Sequence, residues 1–339
     1  MYQDFSDATD SERLHARLYE GAIARFCNLG PMRELVAFTQ DFLERRLAPH
    51  PPVQSHRHFE PQALAQVYAQ LRREFARTDE AQRLWRAVFA AAGLDPDLTA
   101  RDRLILRFQP PHLPGRERPW ARSTATLGFH RDTWGTNLYA QINWWAPVYP
   151  LDVGRTMLMF PHLFAQPLAN SSAGFDIVDV MRRTSEAPET VKAGETIPHL
   201  MEALDWSQGI PVLIAPGEII AFSAQHAHAT VRNLTDMTRI SMDTRTLRIP
   251  DHLAGRGARN VDGRARCTTP RMFKRLSDDK PLPEVLQIQG LQRYEPGHTE
   301  AVVGGGRVDP PPRTTPALRP SGQPGYRMRG RGALQRHRF

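Results

Sequence analysis

Hydrophobic positions recur with two different periods along this chain, and the change falls near residue 98. Before it the spacing is helical. Leu14, Leu18, Ala22 and Phe26 form one stripe, with Ser11 placed to cap its start. Met32, Leu35, Val36, Phe38, Phe42, Leu43 and Leu47 mark a second helix, closed by Pro49, Pro51 and Pro52. Pro61 opens a third, carried by Leu64, Val67, Tyr68, Leu71 and Phe75. Thr78 begins a fourth, with Leu84, Trp85, Val88 and Phe89, that ends at Gly93. These stripes read as core packing, and the charged faces opposite them as solvated surface.

Beyond Leu98 apolar and polar residues alternate in short runs, predicting strands at 103–108, 124–130, 137–147, 156–160, 211–215, 218–223 and 238–247. Pro216-Gly217 predicts a tight turn joining 212–215 to 218–222 as a hairpin. Several short strands without long helices between them indicate a sandwich or barrel. The stretch 161–210 contains Pro161, Pro167 and Pro188, with a helical segment at 176–184. A connection of that length is either a lid over a binding site or an insertion packed on the surface. Residues 251–303 are mixed, with helix-like runs at 271–275 and 282–291, and no internal repeat is evident. The expected organisation is a helical region over 1–98 packed on a β core over 99–250, an extension over 251–303 and a tail over 304–339.

Composition changes this picture at one point. With 339 residues, 40% hydrophobic and 24% charged, the chain suits one globular domain with extensions. Its formal charge of +8 suggests a nucleic-acid partner until it is located: the segment 304–339 holds eight Arg against Asp309, a net +7, leaving +1 for residues 1–303. The body is therefore close to neutral. The Gly-, Pro- and Arg-rich tail is expected to be disordered, and any nucleic-acid contact would run through it. Two cysteines, Cys27 and Cys267, provide no disulfide framework or cysteine zinc site. Neither a secretory leader nor a spanning apolar run is present, so a soluble, cytoplasmic protein is expected.

Candidate chemistry gathers in Gly128-Phe-His-Arg-Asp-Thr-Trp134. On an extended strand His130 and Asp132 face the same way and can reach one ion. A third ligand can come from the segment 222–233, where His226 and His228 both qualify. Two His and one carboxylate make the facial triad of non-haem Fe(II) oxygenases. On the strand from Arg239, the residues Arg239, Ser241, Asp243 and Arg245 share one face. Inward charges are costly unless satisfied, so Asp243 and Arg245 are expected to form an ion pair or to contact a substrate. Gln141 and Asn143 share a face that lines the pocket, with Trp134 and Trp145 expected at its mouth. His112 and His199 lie in Pro-flanked loops without a partner at ligand spacing.

The ordered set of His130-x-Asp132, a distant His, and Arg239 with Ser241 in an Arg-x-Ser pattern resembles the Fe(II)/2-oxoglutarate oxygenase superfamily, within it the phytanoyl-CoA-dioxygenase-like branch. The run Ala140-Gln-Ile-Asn-Trp-Trp-Ala-Pro147 is similar to oxygenases of antibiotic biosynthesis of the streptomycin-pathway type. The resemblance covers 100–250 and implies a double-stranded β-helix, that is, a jelly roll of cupin-like form. It implies Fe(II) on His130, Asp132 and His228, because His228 lies eleven residues before Arg239, the family offset, while His226 becomes a pocket wall or supports the ligands. It implies 2-oxoglutarate as co-substrate with O2, its distal carboxylate on Arg239 and Ser241, with Gln141 and Asn143 nearby. The expected activity is hydroxylation of a small molecule in secondary metabolism. Related halogenases replace the carboxylate that Asp132 keeps, which disfavours halogenation. The alternatives are an oxygenase of RNA, DNA or protein recruited by the tail, and a jelly-roll binding protein without catalysis. The near-neutral body speaks against the first, and the intact triad with Arg239 against the second.

Overall fold

The computed structural model describes residues 1–5, 10–112, 127–186, 196–266 and 269–283. In chain order its elements are β1 (Gln3–Phe5), α1 (Ser11–Tyr19), β2 (Ile23–Phe26), α2 (Gly30–Leu47), α3 (Pro61–Arg77), α4 (Asp79–Ala91), β3 (Thr99–Arg101), β4 (Ile105–Gln109), α5 (Asp132–Thr136), β5 (Gln141–Pro147), β6 (Met157–Met159), α6 (Ile177–Glu186), β7 (Ile210–Pro211), β8 (Ile219–Ser223), β9 (His228–Thr230), β10 (Arg239–Arg248), α7 (Ile249–Ala254) and β11 (Lys274–Arg275). Among the described residues no helix is long and apolar enough to cross a membrane.

Among the described residues the strands make two sheets. The larger runs β1-β2-β8-β5-β10-β3-β11, with β4 also paired to β10, and the smaller runs β7-β6-β9. The β1–β2 pair is parallel and the β2–β8, β8–β5 and β5–β10 pairs are antiparallel, so the large sheet is mixed. Alternation along its central strands builds two layers at once. Ile142, Trp144 and Ala146 of β5, Ile219 and Ala221 of β8, and Ile240 and Met242 of β10 join the buried stripes of α2, α3 and α4 in one core. Trp145, Ile220 and Phe222 point the other way and pack on Met157, Met159, Val212 and Ile214 beside the small sheet. A large mixed sheet braced by helices on one face and covered by a second sheet on the other is consistent with a jelly-roll fold.

The helices α2, α3 and α4 lie where their periodicity puts them, and Thr78 precedes the acidic first turn of α4 (Asp79, Glu80), which complements the helix dipole. The first helix is shorter than its stripe suggests. It ends at Tyr19, Asp10 rather than Ser11 supplies the cap, and Ala22 and Phe26 lie outside it. Gly21, at φ +99°, breaks the helix, and Ile23–Phe26 then pairs with β8, a partner almost two hundred residues distant. The hairpin expected around Pro216-Gly217 does not form. Residues 210–211 pair with β6 in the small sheet, whereas 219–223 lie between β2 and β5 in the large one. The turn thus carries the chain between sheets, and Gly217, at φ +95°, supplies the backbone for it. Of the run 137–147, Asn137 is left-handed and the strand begins only at Gln141. Residues 271–275 form a 3-10 turn and β11 instead of a helix. The short elements β1, β2, β9, β11 and α7 had no signal in the alternation. Within 161–210, Leu163, Leu168, Leu200 and Leu204 pack against Phe129, Trp134 and Phe160. The strand expected at 124–130 as far as 126, the helix-like run from 284 onward, Cys267 and the tail 304–339 lie outside the described residues.

Close backbone approach sets one sharp requirement. A Cβ on Gly257 would sit 2.5 Å from the carbonyl carbon of Tyr139 and 2.7 Å from the amide nitrogen of Ala140. Backbone cannot yield as a side-chain tip can. Gly257→Ala should therefore destabilise the chain by roughly 1–3 kcal/mol, as overpacking does, read as a lower urea midpoint. An unchanged midpoint would show that the segment entering β5 has slack.

Candidate active site

The site begins with two histidines on neighbouring extended segments. His130 and His228 form an antiparallel bridge in which each backbone N–H donates to the other's carbonyl at 3.0 Å. Residues that exchange both hydrogen bonds lie directly opposite and present their side chains to one face. The two imidazole centroids are 4.3 Å apart. His228 also pairs with Met159, so β6 holds the segment from its other side.

Asp132 reaches the same point by a different geometry from the expected continuous strand. Arg131 is extended at φ −113° and ψ 141°, while Asp132 is the first residue of α5. One extended residue suffices to turn Arg131 away and bring Asp132 back beside His130. The Arg131 guanidinium is buried on the opposite side, where Nη1 donates to Asp262 at 2.6 Å and Nη2 to the carbonyl of Gln166 at 2.8 Å. Ligand atoms of His130, Asp132 and His228 all lie within 4.8 Å of one another, and among the described residues no other group of His, Cys, Asp or Glu does so.

Neighbouring groups orient each of these side chains. His130 Nδ1 donates to the carbonyl of Gly128 at 2.8 Å, and His228 Nδ1 to that of His226 at 3.0 Å. A carbonyl oxygen only accepts, so in both rings Nδ1 carries the proton and the lone pair of Nε2 is free for a metal. Asn143 Nδ2 donates to Asp132 Oδ2 at 2.6 Å, and Gln141 Nε2 donates to Asn143 Oδ1 at 2.9 Å. Arg245 Nε lies 3.9 Å from the same Oδ2. The other oxygen, Oδ1, faces His130 Nε2 at 3.6 Å. Burial pushes the Asp132 carboxyl up, but the charge of Arg245 foremost outweighs it and holds the group well below the usual carboxylate range. Burial, then the His130 ring, pushes His228 down to about 4. An ionised carboxylate beside a neutral imidazole is the state in which such residues bind a divalent cation.

A cavity of about 80 Å³ opens on these residues and is also lined by Arg107, Asp243 and Arg239. The inward row of β10 is present as expected, with different partners. Asp243 and Arg245 do not pair with each other. Asp243 accepts two hydrogen bonds from Arg107 of β4, and Arg245 Nη1 donates to Asp102 at 3.2 Å. The strand β10 pairs with both β4 and β3, so Asp243 finds Arg107 on β4 and Arg245 finds Asp102 in the connection that follows β3. Arg239 is 5% exposed and Ser241 fully buried, yet among the described residues Arg239 Nε and Nη1 and Ser241 Oγ have no hydrogen-bond partner. Burial, followed by repulsion from Arg107, pushes Arg239 down to about 10.

Trp145 lines the cavity. Trp134 does not stand at its mouth: it is fully buried among Phe129, Phe160 and Leu163, and its Nε1 donates to Asp262 at 2.8 Å. His226 turns its ring out of the site onto the carbonyl of Gly21 and the Phe164 ring, and reaches the site through its backbone alone. Arg107, Asp102 and Asp262 escaped the sequence reading because each is identified only by a partner more than a hundred residues away. Among the described residues, 161–210 contribute no side chain to the cavity.

Buried histidines set an acid limit on the metal-free chain. His226, like His228, is pushed down to about 4 from an ordinary 6.5, with burial the largest cause. Between those values the unfolded chain binds protons that the folded chain does not, so stability falls as pH drops through that window. Urea midpoints of metal-free protein should decline from about pH 7 to about pH 5, and His226→Gln should flatten the decline. A slope identical in the two proteins would contradict this account.

A scan against protein-family models finds no match, and a search of curated proteins finds none either. Among solved structures the chain is similar to the non-haem monooxygenase ThoJ in complex with nickel, at 16% identity over 66% of this chain and 70% of that one, TM-score 0.36. It is similar to EvdO2 from Micromonospora carbonacea var. aurantiaca complexed with 2-oxoglutarate, at 13% identity over 73% and 94%, TM-score 0.41. It is similar also to the non-haem alpha-ketoglutarate-dependent carbocyclase SnoK from nogalamycin biosynthesis, at 14% identity over 75% and 97%, TM-score 0.38. These neighbours are non-haem oxygenases and related 2-oxoglutarate-dependent enzymes. At such identities and TM-scores, the function of this chain has to be read from its own residues.

Proposed function

We propose that this chain is an Fe(II)- and 2-oxoglutarate-dependent oxygenase that hydroxylates a small molecule, built on a double-stranded β-helix. The observation that carries the reading is a buried guanidinium with two unpartnered nitrogens, Arg239, lining the same cavity as three converging metal-ligand atoms. A cation buried without a counter-charge is costly and persists where a ligand anion completes it. A dicarboxylate satisfies both halves, with one carboxylate at the metal and the other on Arg239.

The donor set fits the group. His130, Asp132 and His228 would hold Fe(II), two imidazoles and a carboxylate being the ligands of the facial triad. Bound iron with 2-oxoglutarate and dioxygen supplies the oxidising chemistry. The protein places and protects it. The carbonyls of Gly128 and His226 fix the tautomers of the two rings, while Asn143, with Gln141 behind it, holds one oxygen of Asp132, which would leave the other to a metal. Arg239 would clasp the distal carboxylate of the co-substrate with two parallel hydrogen bonds, and Ser241 Oγ would add a third. Phe222 and Trp145 wall the cavity with apolar surface, which would keep bulk water from bound iron.

Anaerobic addition of Fe(II) and 2-oxoglutarate to the purified protein should give a weak visible metal-to-ligand charge-transfer band, and its absence would end the proposal. His228→Ala should abolish metal retention, whereas His226→Ala should keep a measurable fraction because only its carbonyl serves the site. Metal titrations that rank them the other way would reassign the ligand. Arg239→Ala removes one partner of a buried pair, a loss on the order of 3–5 kcal/mol. At 1.4 kcal/mol per tenfold, 2-oxoglutarate affinity should fall roughly a hundred- to several-thousand-fold with Fe(II) binding retained. Lys should restore only part, lacking the planar fork. Arg245→Ala, measured alongside, should weaken the metal more than the co-substrate, because Arg245 faces Asp132 and Asp102. A larger 2-oxoglutarate loss from Arg245→Ala would exchange the two arginines' roles.

A further inference from the structure

The cavity holds one more cation than the proposed iron and co-substrate can use. Arg107 is matched by Asp243, and Arg245 by Asp102. Under the reading above, Arg239 takes the distal carboxylate, while Asp132 and the other carboxylate balance the two charges of the metal. Arg72 remains. It comes from α3, whose Tyr68, one turn earlier, stacks on Phe108 of β4 with centroids 4.1 Å apart, so the helix is pinned beside the strand that carries Arg107. Arg72 lines the cavity, is only partly exposed, and its side chain has no hydrogen bond or ion pair among the described residues. The nearby carboxylate, Asp243, is already engaged by both hydrogen bonds from Arg107. Arg103, exposed and also without an ion pair among the described residues, adds a further positive charge close by. Burial, then Arg107 and Arg103, holds the Arg72 guanidinium below its ordinary value, as expected for a cation facing cations.

We propose that Arg72 is a specificity-determining residue that binds an anionic group, a carboxylate or a phosphate, on the primary substrate. The inference rests on the oxygenase reading, since it gives Arg239 to the co-substrate and leaves Arg72 for the molecule to be oxidised. A guanidinium at this place grips the charged end of the substrate by a bidentate, charge-assisted contact. Anchoring that end fixes how the remaining atoms enter toward His130, Asp132 and His228, and positioning by a remote group is what raises the rate at the reacting carbon. A neutral analogue would leave Arg72 uncompensated and be rejected.

The test uses the full chain, anaerobic, with Fe(II) and saturating 2-oxoglutarate, titrated calorimetrically with benzoate, phenyl phosphate and benzamide. Benzoate or phenyl phosphate should bind saturably and benzamide should not, and the tighter of the two anions identifies the substrate group. Arg72→Gln should weaken the anion roughly 10- to 100-fold while 2-oxoglutarate affinity is kept. Arg72→Lys, the gentler change, should keep charge attraction but lose the fork, and it secures the comparison if the Gln variant folds poorly. The proposal is overturned if neither anion binds, if benzamide binds as well as benzoate, or if Arg72→Gln binds the anion like wild type. It is also overturned if Arg72→Gln loses 2-oxoglutarate, which would hand Arg72 to the co-substrate. A different result, undiminished 2-oxoglutarate binding by Arg239→Ala, would instead strike the oxygenase reading on which this one stands.

Discussion

The reciprocal backbone pair between His130 and His228 is the contact on which the rest of the site depends. Two hydrogen bonds fix these residues directly opposite each other and place both imidazoles on one face, whatever else the chain does nearby. Every further element works from that pair. The single extended residue Arg131 returns Asp132 to the same face, and β6 steadies His228 from the far side. The anchor on the outer side is also polar, since Asp262 receives both Arg131 and the Trp134 indole. This segment is thus tied down on the side away from the cavity, leaving the His130 and Asp132 side chains to line it.

Burying this much charge requires each group to have a counterpart. The strand β10 presents Arg239, Asp243 and Arg245 to the cavity while Ile240 and Met242 enter the helix-backed core. The same alternation places Gln141 and Asn143 of β5 under Asp132 and Ile142 and Trp144 against the helices. Packing and chemistry are therefore two faces of the same strands. The helices brace the sheet from behind, and a side chain that loosens there moves the cavity wall, because close-packed layers transmit displacement. Carboxylates from β10 and from the chain just after β3 neutralise Arg107 and Arg245.

Much of this was legible in residue order, because it depends on local period. The stripes of α2, α3 and α4, the alternation of β5 and of β10 from Arg239 on, and the spacing of His130 and Asp132 are all properties of residues a few positions apart. Position parity also separated Gln141 and Asn143 from Ile142 and Trp144, since side chains on a strand alternate whether or not the partner strand is known.

Tertiary structure decided what depends on partners distant in the chain. Leu14, Leu18, Ala22 and Phe26 carry a helical period, yet Ile23–Phe26 is a strand because hydrogen bonds to β8 outweigh a weak local preference. Whether 212–222 folds as a hairpin or bridges two sheets cannot be judged from a Pro-Gly turn, which serves either path. Asp243 and Arg245 are neighbours on one face, but each is paired with a residue distant in the chain, Arg107 on β4 for one and Asp102, just after β3, for the other. The choice between the His226 and His228 side chains follows the same rule. Only the pairing of 228 with 130 turns one ring into the cavity and leaves the other against Gly21 and Phe164. Local sequence determined which residues alternate and where charge would have to be buried. Long-range pairing decided which charges meet, because that choice is set by backbone hydrogen bonds between segments separated by a hundred residues or more.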